Sequence, residues 1–383
     1  MKRVTAIVRP ERMEPLKDAL FAANVSGMTI SQVHGCGAQH GWSEYVRGTE
    51  VMLNMVPKVK FEVVVDDDGR LRITIHVEVY YGFVLPEVAA NLRQIEALAG
   101  AGCEIVRMAI PSRAALDAFE AVCAASPLPV VADIHFDATI AIEAARRGAA
   151  KLRINPGNIG GLEATDAVIE AAREAGIPIR IGVNAGSLDS ALAARDDLTL
   201  PQKLAASAAD YVRHFEERGF HDIVVSAKAH DVQATIDTYR LLAAEIPTVP
   251  LHIGVTEAGT AFQGIIKSAC GLGVLLEQGI GDTLRISLTD DPCVEVRACW
   301  TLLSALNLRR RSPELISCPT CGRCQVNLIG LAQEVEQRLA SVASPVKVAV
   351  MGCVVNGPGE AADADIGVAC GAGTGVVFSH GKI

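Results

Sequence analysis

The hydrophobic positions of the first 67 residues are typical of a small α+β segment. They predict one helix, Pro15–Ala23, a polar glycine-rich loop over Gly35–Thr49, and a hairpin turn at Asp66–Gly69 that leads into a strand over Arg72–Val79. The strands predicted before that turn are Val4–Val8, Thr29–Val33 and Val59–Val65.

A different pattern recurs from Pro86 to about Asp290, where a helical stretch precedes a short apolar strand and a polar or glycine-rich turn. The predicted strands are Glu104–Ala109, Pro129–Asp133, Lys151–Asn155, Pro178–Val183, Asp222–Ser226, Leu251–Val255 and Thr283–Ser287. Strands that alternate with helices pair in parallel, and buried parallel strands are apolar throughout. An eighth strand would complete a (β/α)₈ TIM barrel. We place Ile73–Val79 in that first position, because a gap there would expose the barrel core.

Composition excludes several classes of function. Half of the 383 residues are hydrophobic, so the chain can bury a large core, and its formal net charge is −9. An acidic chain with 4% aromatic residues is not typical of a nucleic-acid-binding protein. No apolar run is long enough to span a membrane, and the N-terminus lacks the apolar stretch of a signal peptide. We therefore expect no nucleic-acid or membrane partner and a cytoplasmic location.

Polar residues follow the predicted strands, at the barrel face where active sites lie. These candidates are Arg107, Asp133, His135, Arg153, Asn155, Arg180, Asn184, Lys228, Glu257 and Arg285. Although the whole chain is acidic, its strand ends are cationic, which suits a phosphorylated anion. A single arginine at such a position can instead pair with an acidic group of the barrel rim, but a structural role for all of them is improbable.

Eleven cysteines are many for a cytoplasmic chain and point to metal or redox chemistry. Cys318 and Cys321 form a C-x₂-C pair, and Cys353 follows 32 residues after Cys321. Zinc, a redox dithiol and an iron–sulfur site all use such a pair. Three thiolates with a harder ligand favour a [4Fe–4S] cluster, since His380 is the only histidine of this zone. Cys324 is an alternative fourth ligand, although a helix is expected to begin there.

The remaining cysteines are scattered along the chain and are interpreted as small buried hydrophobic residues. They include Cys36, Cys103, Cys123, Cys270, Cys293 and Cys299. A third zone runs from about Ser312 to Ile383, with one helical pattern over Leu328–Val342 and a glycine-rich end.

Six motifs follow one another between about Pro86 and Phe378. They are ADIHF (Ala132–Phe136), KLRINPGNIGG (Lys151–Gly161), PIRIGVNAGSL (Pro178–Leu188), GVTEAGT (Gly254–Thr260), SCPTCGR (Ser317–Arg323) and VMGCVVNGPGEAADADIG (Val350–Gly367). Together they resemble the IspG family, the 4-hydroxy-3-methylbut-2-enyl diphosphate synthases. The resemblance implies reductive ring opening and dehydroxylation of 2-C-methyl-D-erythritol 2,4-cyclodiphosphate in the non-mevalonate isoprenoid pathway, with flavodoxin or ferredoxin as the electron donor.

The resemblance also implies roles for particular residues. A [4Fe–4S] cluster would be held by Cys318, Cys321, Cys353 and Glu360. The diphosphate would be faced by Arg107, Arg153, Asn155, Arg180, Lys228 and Arg285, with Asn184 a further candidate. Acid–base or positioning roles fall on Asp133, His135 and Glu257. A homodimer is implied, in which the barrel of one subunit faces the cluster domain of the other.

The N-terminal zone resembles a different family, the PII nitrogen-signalling proteins. MKRVTAIVRPERMEPLKDAL, GMTISQVHGCGAQ and YVRGTEVMLNMVPKVKFEVVV carry the resemblance over about Met1–Asp68. Gln39 fits the loop position for 2-oxoglutarate and Mg²⁺, whereas Val51 stands where many members carry a modified tyrosine. The second half of the PII fold, with its basic ATP-binding residues, is replaced by other sequence, so we expect no ATP binding.

The predicted architecture has three parts. Residues 1–68 form a partial ferredoxin-like, PII-like α+β segment, residues 69–300 a TIM barrel, and residues 301–383 a small α+β iron–sulfur domain that lacks the family's last helix. The first barrel strand is atypical, because Ile73–Val84 replaces a VSVQSMTNTDT-like strand and polar loop. Three functions remain open: an active reductase, a fusion with a regulatory module sensing 2-oxoglutarate, and an inactive chimera.

Overall fold

The structure is a computed structural model that describes residues 2–8, 13–22, 28–35, 42–46, 49–53, 56–65 and 75–383, except 189, 340, 341 and 343. Its contacts divide the chain into two compact units, Met1–Thr74 and Ile75–Ile383. The predicted turn at Asp66–Gly69 and the loop residue Gln39 lie outside the described residues.

The first unit contains an antiparallel sheet. In it, β5 (Val56–Val65) lies between β1 (Lys2–Val8) and β2 (Met28–Gly35), and the helix α1 spans Met13–Ala22. The predicted strands and helix are thus confirmed to within a few residues.

The loop predicted over Gly35–Thr49 is wrong in its second half. There β3 (Trp42–Val46) pairs antiparallel with β4 (Thr49–Leu53). The glycines of this segment favour a loop, but the aromatic and β-branched residues between them favour a paired strand.

The second unit begins with a ring of parallel strands. The strands are β6 (His76–Phe83), β7 (Ile105–Ala109), β8 (Val130–Asp133), β9 (Lys151–Ile154), β10 (Ile179–Asn184), β11 (Ile223–Lys228), β12 (His252–Ile253) and β13 (Thr283–Leu284). Seven pairings join them in one sheet that runs from β11 through β6 to β12. A parallel bridge between Val225 and Leu251 joins the two ends of that sheet. The predicted TIM barrel is therefore confirmed.

Helices follow the strands along the chain. They are α2 (Val88–Ala101), α3 (Leu116–Ala125), α4 (Ala138–Arg146), α5 (Gly161–Ala175), α6 (Ser190–Ala193), α7 (Leu200–Glu217), α8 (Val232–Glu245), α9 (Ala261–Glu277) and α10 (Pro292–Ala305). Local sequence fixes several starts: the Thr199 and Gln202 side chains form a reciprocal capping box on α7, and Asp231 caps α8. Their inner faces pack on the strands in one apolar core. Of the helices in the described ranges, none is long and apolar enough to cross a membrane.

The first barrel position is occupied by β6, as predicted, although Ile73 and Thr74 lie outside the described residues. It pairs in parallel with β7 on one side and with β13 on the other. Its register with β7 shifts between Tyr80 and Gly82, and Gly82 takes a φ of +114°. Such a bulge bends a strand and redirects its side chains.

A four-stranded sheet follows the barrel. Its strands are β14 (Glu314–Ser317), β15 (Lys347–Met351), β16 (Ile366–Gly371) and β17 (Thr374–Phe378), in that order, and only the last pair is antiparallel. The helices α11 (Leu328–Leu339) and α12 (Gly357–Glu360) connect them. Because β14 and β15 are parallel neighbours, the segments after Ser317 and Met351 leave the same edge of the sheet. The helix α11 begins at Leu328, as its helical pattern predicted, so the helix start expected at Cys324 is wrong.

Candidate functional site

A cavity of about 440 Å³ opens at the carboxyl ends of the barrel strands. Eight of the predicted site residues line it: Arg107, Asp133, His135, Arg153, Asn184, Lys228, Glu257 and Arg285. Tyr80, Ser226, Thr256, Ser287 and Thr289 line it as well. Most of these residues were predicted from their positions directly after the strands, because the carboxyl ends of parallel strands converge on one face of a barrel.

Two predicted substrate-binding residues do not line the cavity. Arg180 is fully buried and is ion-paired with Glu78. Asn155 is also buried, and its Oδ1 atom accepts a hydrogen bond of 3.1 Å from the backbone N–H of Gly157. The structure thus places Arg180 within the barrel core and Asn155 in the turn after β9.

Glu78 was missed by the sequence analysis although it organises the charges of the barrel interior. It is fully buried, and besides Arg180 it pairs with Lys151 at 3.2 Å and approaches His252 Nδ1 at 3.9 Å. Burial alone would raise the pKa of Glu78, but Arg180, His252 and Lys151 outweigh it and hold the pKa well below its usual range. The sequence signal that could have revealed Glu78 is that it is the one acidic residue within the otherwise largely apolar strand β6.

Asp133 lies at the end of β8 and binds two arginines. Its Oδ1 accepts a 3.1 Å hydrogen bond from Arg153, and its Oδ2 lies 3.6 Å from Arg107 Nε. Burial raises the pKa of Asp133, whereas Arg107 and Arg153 lower it, to about 2 in balance. Asp133 is therefore a carboxylate near neutral pH and orients the arginines. His135, 42% exposed, lies 3.9 Å from the same carboxylate.

Lys228 contacts a buried histidine, His252, in the barrel interior. The distance from its Nζ to His252 Nε2 is 2.9 Å, and His252 Nδ1 lies 2.7 Å from Thr283 Oγ1. Burial, then the charges of Arg180 and Arg285, hold the pKa of Lys228 well below its usual value. Burial, then Lys228, likewise lowers the pKa of His252.

Two glycines make room for the cationic side chains. A Cβ atom on Gly182 would lie 2.6 Å from Arg153 Nε, and one on Gly254 would lie 3.1 Å from Lys228 Nζ and 2.8 Å from the Arg285 carbonyl oxygen. Any side chain at either position would displace its neighbours. The glycines of the motifs around these positions therefore serve the placement of Arg153 and Lys228.

Among the described residues, the cavity is lined by more cations than carboxylates. The cations are Arg107, Arg153, Lys228 and Arg285, and the carboxylates are Asp133 and Glu257. The Nε atoms of Arg107, Arg153 and Arg285 are buried without a hydrogen-bond partner among the described residues. Buried donors of this kind are costly unless an acceptor meets them, so the site suits an anion with several oxygen atoms.

Glu257 lies on the rim of the cavity with an unusual backbone. Its φ is +54°, in the left-handed region that is rare for a residue with a side chain. Such a conformation costs on the order of 1–3 kcal/mol and is concentrated at functional sites. The turn after β12 therefore places Glu257 at the cavity, with its side chain exposed.

The predicted cluster ligands Cys318 and Cys353 follow two neighbouring parallel strands, so they lie at the same end of the four-stranded sheet. Cys318 follows β14 and its Sγ accepts a 3.3 Å hydrogen bond from the backbone N–H of Gly352, which follows β15. Backbone N–H groups, that of Asn356 first, lower the pKa of Cys353. Backbone donors directed at thiolates are typical of iron–sulfur sites, where they tune the cluster. The donors around Cys318 and Cys353 therefore fit such a group.

Cys321 and Glu360 are exposed, and Glu360 ends α12. Among the described residues, no three His, Cys, Asp or Glu side chains converge as ligands of a single ion, which a tetrahedral zinc site needs. A [4Fe–4S] cluster differs because each iron takes its own ligand. His380 lies 3.9 Å from Asp365 and is 66% exposed.

The scattered cysteines are only partly as expected. Cys103 and Cys299 are buried, and burial raises the pKa of each to about 12, as for an inert thiol. Cys270 is exposed on α9, so its interpretation as a buried residue is wrong; it lies on the outer face of that helix. Cys36 lies outside the described residues.

Comparison with family models gives three matches. Residues 75–300 match the GcpE TIM-barrel domain and residues 314–383 the GcpE protein C-terminal domain. Residues 1–81 match the nitrogen regulatory protein P-II. The GcpE TIM-barrel match and the P-II match overlap over residues 75–81, which lie in or directly before β6.

Curated relatives point the same way. The chain is 55% identical over 297 residues to a 4-hydroxy-3-methylbut-2-en-1-yl diphosphate synthase (flavodoxin) of Geobacter sulfurreducens, a match that covers 78% of this chain and 84% of the relative. It is 52% identical over 290 residues to a protein of the same name from Maridesulfovibrio salexigens, with 76% and 81% covered. For that of Clostridium perfringens the identity is 49%, with 78% and 85% covered.

Proposed function

The chain belongs to the GcpE family of 4-hydroxy-3-methylbut-2-en-1-yl diphosphate synthases, and we propose that it carries out the family's reaction. In this proposal 2-C-methyl-D-erythritol 2,4-cyclodiphosphate undergoes reductive ring opening and loses a hydroxyl group, giving 4-hydroxy-3-methylbut-2-enyl diphosphate. The observation that supports it most directly is the excess of cations over carboxylates in the lining of a cavity of about 440 Å³.

The cationic side chains would bind the diphosphate. Arg107, Arg153, Lys228 and Arg285 line the cavity, and three of them carry buried Nε donors without a hydrogen-bond partner among the described residues. Phosphoryl oxygens accept several charge-assisted hydrogen bonds, so this set suits two linked phosphates. Arg180, which is fully buried and paired with Glu78, would contribute only through its charge and without contacting the diphosphate.

Acid–base roles would be divided by environment. Asp133, with a pKa of about 2, would stay ionised and hold Arg107 and Arg153. His135 and Glu257 lie at the cavity and reach solvent, so they are the residues placed to exchange a proton with the hydroxyl or the ring oxygen.

Members of this family are iron–sulfur oxidoreductases. In this chain Cys318, Cys321, Cys353 and Glu360 would hold a [4Fe–4S] cluster, which would pass the two electrons of the reduction, one at a time, from the donor protein to the substrate. The relatives are flavodoxin-dependent by name, which supports flavodoxin as the donor, with ferredoxin as the alternative. A homodimer would bring the barrel cavity of one subunit to the cluster domain of its partner.

The regulatory alternative, a PII-like module that senses 2-oxoglutarate, is not favoured. The two GcpE matches cover most of the chain, and their first domain begins within the P-II match. An inactive chimera is opposed by the barrel itself, because β6 fills the first position and pairs on both sides.

Anaerobic reconstitution with iron and sulfide, followed by turnover of the cyclic diphosphate with reduced flavodoxin, tests the proposal. We expect Lys228→Ala to weaken substrate binding by about 10- to 100-fold, equivalent to about 1.5–3 kcal/mol for one charge-assisted contact. Arg240→Ala, on the exposed face of α8, is the matched control and should bind as the unchanged chain does. A reconstituted chain that binds but never converts the substrate would contradict the proposal.

A further inference from the structure

Tyr80 contacts two of the cavity's arginines through its ring. The Cζ atom of Arg107 is 4.7 Å from the centroid of the Tyr80 ring, and that of Arg285 is 5.3 Å from it. Both distances are within the range of a cation–π contact. Tyr80 also lines the cavity, so both guanidinium groups meet the ring at the place where an anion would bind.

The strand β6 sets this arrangement. Alternate residues of a strand face the same side, so Glu78 and Tyr80 both face the barrel interior, one above the other. Glu78 is buried in the barrel core, where it pairs with Arg180. Tyr80, at the cavity, lies opposite Arg107 in the register of β6 and β7. The bulge directly after Tyr80 changes the direction of the strand at this point.

The ring counters a repulsion between the two arginines. Burial, and next the charge of Arg107, lower the pKa of Arg285, so the two cations affect each other. Each also has a carboxylate nearby: Arg107 Nε lies 3.6 Å from Asp133, and Arg285 Nε lies 3.8 Å from Glu295. Without the ring, each guanidinium group would lose its aromatic contact, and its position would depend on its carboxylate alone.

We propose that Tyr80 is a positioning residue whose ring fixes the separation of Arg107 and Arg285 so that they bind the two ends of one diphosphate group. The inference rests on the proposed function, because it concerns the diphosphate of the same site. The ring acts through the two arginines: no hydrogen bond of the described residues involves the Tyr80 hydroxyl.

Two substitutions separate the ring from the hydroxyl. Tyr80→Phe keeps the aromatic face, whereas Tyr80→Leu removes it and leaves an apolar side chain. Inorganic pyrophosphate, titrated calorimetrically into the full-length protein, is the probe, and orthophosphate is the matched control ligand because it lacks the second phosphate group. Tyr80→Met provides a second variant without a ring, in case Tyr80→Leu does not fold.

We expect Tyr80→Phe to bind pyrophosphate within twofold of the unchanged chain. Tyr80→Leu should bind it about tenfold more weakly, which corresponds to about 1.4 kcal/mol, and should bind orthophosphate almost unchanged. In turnover assays Tyr80→Leu should raise KM far more than it lowers kcat. Thermal unfolding of all variants, measured in parallel, separates a loss of fold from a loss of positioning.

Three results would overturn the inference: pyrophosphate affinity that survives in both variants without a ring, an equal loss for orthophosphate, or a Tyr80→Phe protein as weak as Tyr80→Leu. The proposed function has a separate test. If the unchanged chain binds pyrophosphate and the variants behave as expected, but the cyclic diphosphate is never turned over, the function fails while the role of Tyr80 stands.

Discussion

Lys228 and His252 form a hydrogen-bonded pair in the barrel interior, with 2.9 Å between Nζ and Nε2. The second ring nitrogen of His252 lies 2.7 Å from Thr283 Oγ1, so both nitrogens of the imidazole are engaged. A neutral imidazole can accept from the ammonium group on one side and donate to the hydroxyl on the other. An ammonium group of Lys228 can therefore donate to His252 only while that histidine remains unprotonated.

This pair predicts a pH dependence of stability. Burial, then Lys228 and Arg180, hold the pKa of His252 well below its usual value. Below about pH 6.5 an unfolded histidine binds a proton that the folded His252 does not, so the free energy of unfolding should decrease as the pH falls, by up to about 1.4 kcal/mol per pH unit. Urea denaturation between pH 5 and 7.5 should show the decrease.

The substitution His252→Gln should reduce that slope, because no proton is then taken up at this position on unfolding. His221→Gln, at an exposed position before β11, is the control and should leave it unchanged. An identical slope in the unchanged chain and in His252→Gln would contradict the prediction.

The buried ion pair of Glu78 and Arg180 predicts a large loss of stability. Glu78→Leu leaves the fully buried guanidinium group of Arg180 without its carboxylate, which should cost about 3–5 kcal/mol of unfolding free energy. Glu78→Gln should cost less, because an amide oxygen still accepts a hydrogen bond. Chemical denaturation measures both, with Glu163→Gln on the exposed face of α5 as the control. A loss below about 1 kcal/mol in Glu78→Leu would show that the pair is dispensable.

Substitution of Gly182 should weaken anion binding with little effect on the fold. A methyl group there would meet the guanidinium group of Arg153 at 2.6 Å and move it away from Asp133 and the cavity. We expect Gly182→Ala to weaken pyrophosphate binding by about 1.5–3 kcal/mol, as for one lost charge-assisted contact. Gly186→Ala, where no atom lies within 4 Å of the added methyl group, is the matched control. Equal affinities in the two variants would exclude a role for Arg153 in binding.

The cysteines can be sorted by their effect on bound iron. Cys321→Ser should remove the brown iron–sulfur absorbance after anaerobic reconstitution, because one thiolate ligand is lost. Cys324→Ser should keep it, since the Cys324 thiol donates towards the carbonyl oxygen of Val326 at 3.4 Å. Cys270→Ser, at an exposed position of α9, controls for the loss of any thiol. A Cys324→Ser protein without iron would overturn the ligand assignment.

The sequence predicted the residues that line the cavity better than the charged residues buried beneath them in the barrel core. Arg107, Asp133 and Lys228 were found because apolar strands mark where their ends converge. Glu78 was missed, and Arg180 was placed at the cavity rather than in the core. The reason is physical: an apolar pattern shows that a strand is buried, but not how deep each inward side chain lies. That depth depends on the register between strands, which is set by pairings distant along the chain.

The closing pair of the barrel constrains the order in which the chain can fold. His76 pairs with Thr283, and nearly the whole barrel sequence lies between them. During synthesis β6 would emerge early, yet one of its two neighbours is the last barrel strand to be made. Contacts so distant along the chain form slowly, because the intervening segment must be ordered first. Assembly of the ring is therefore complete only after translation has passed β13, and a nascent chain interrupted before that point carries β6 with one unpaired edge.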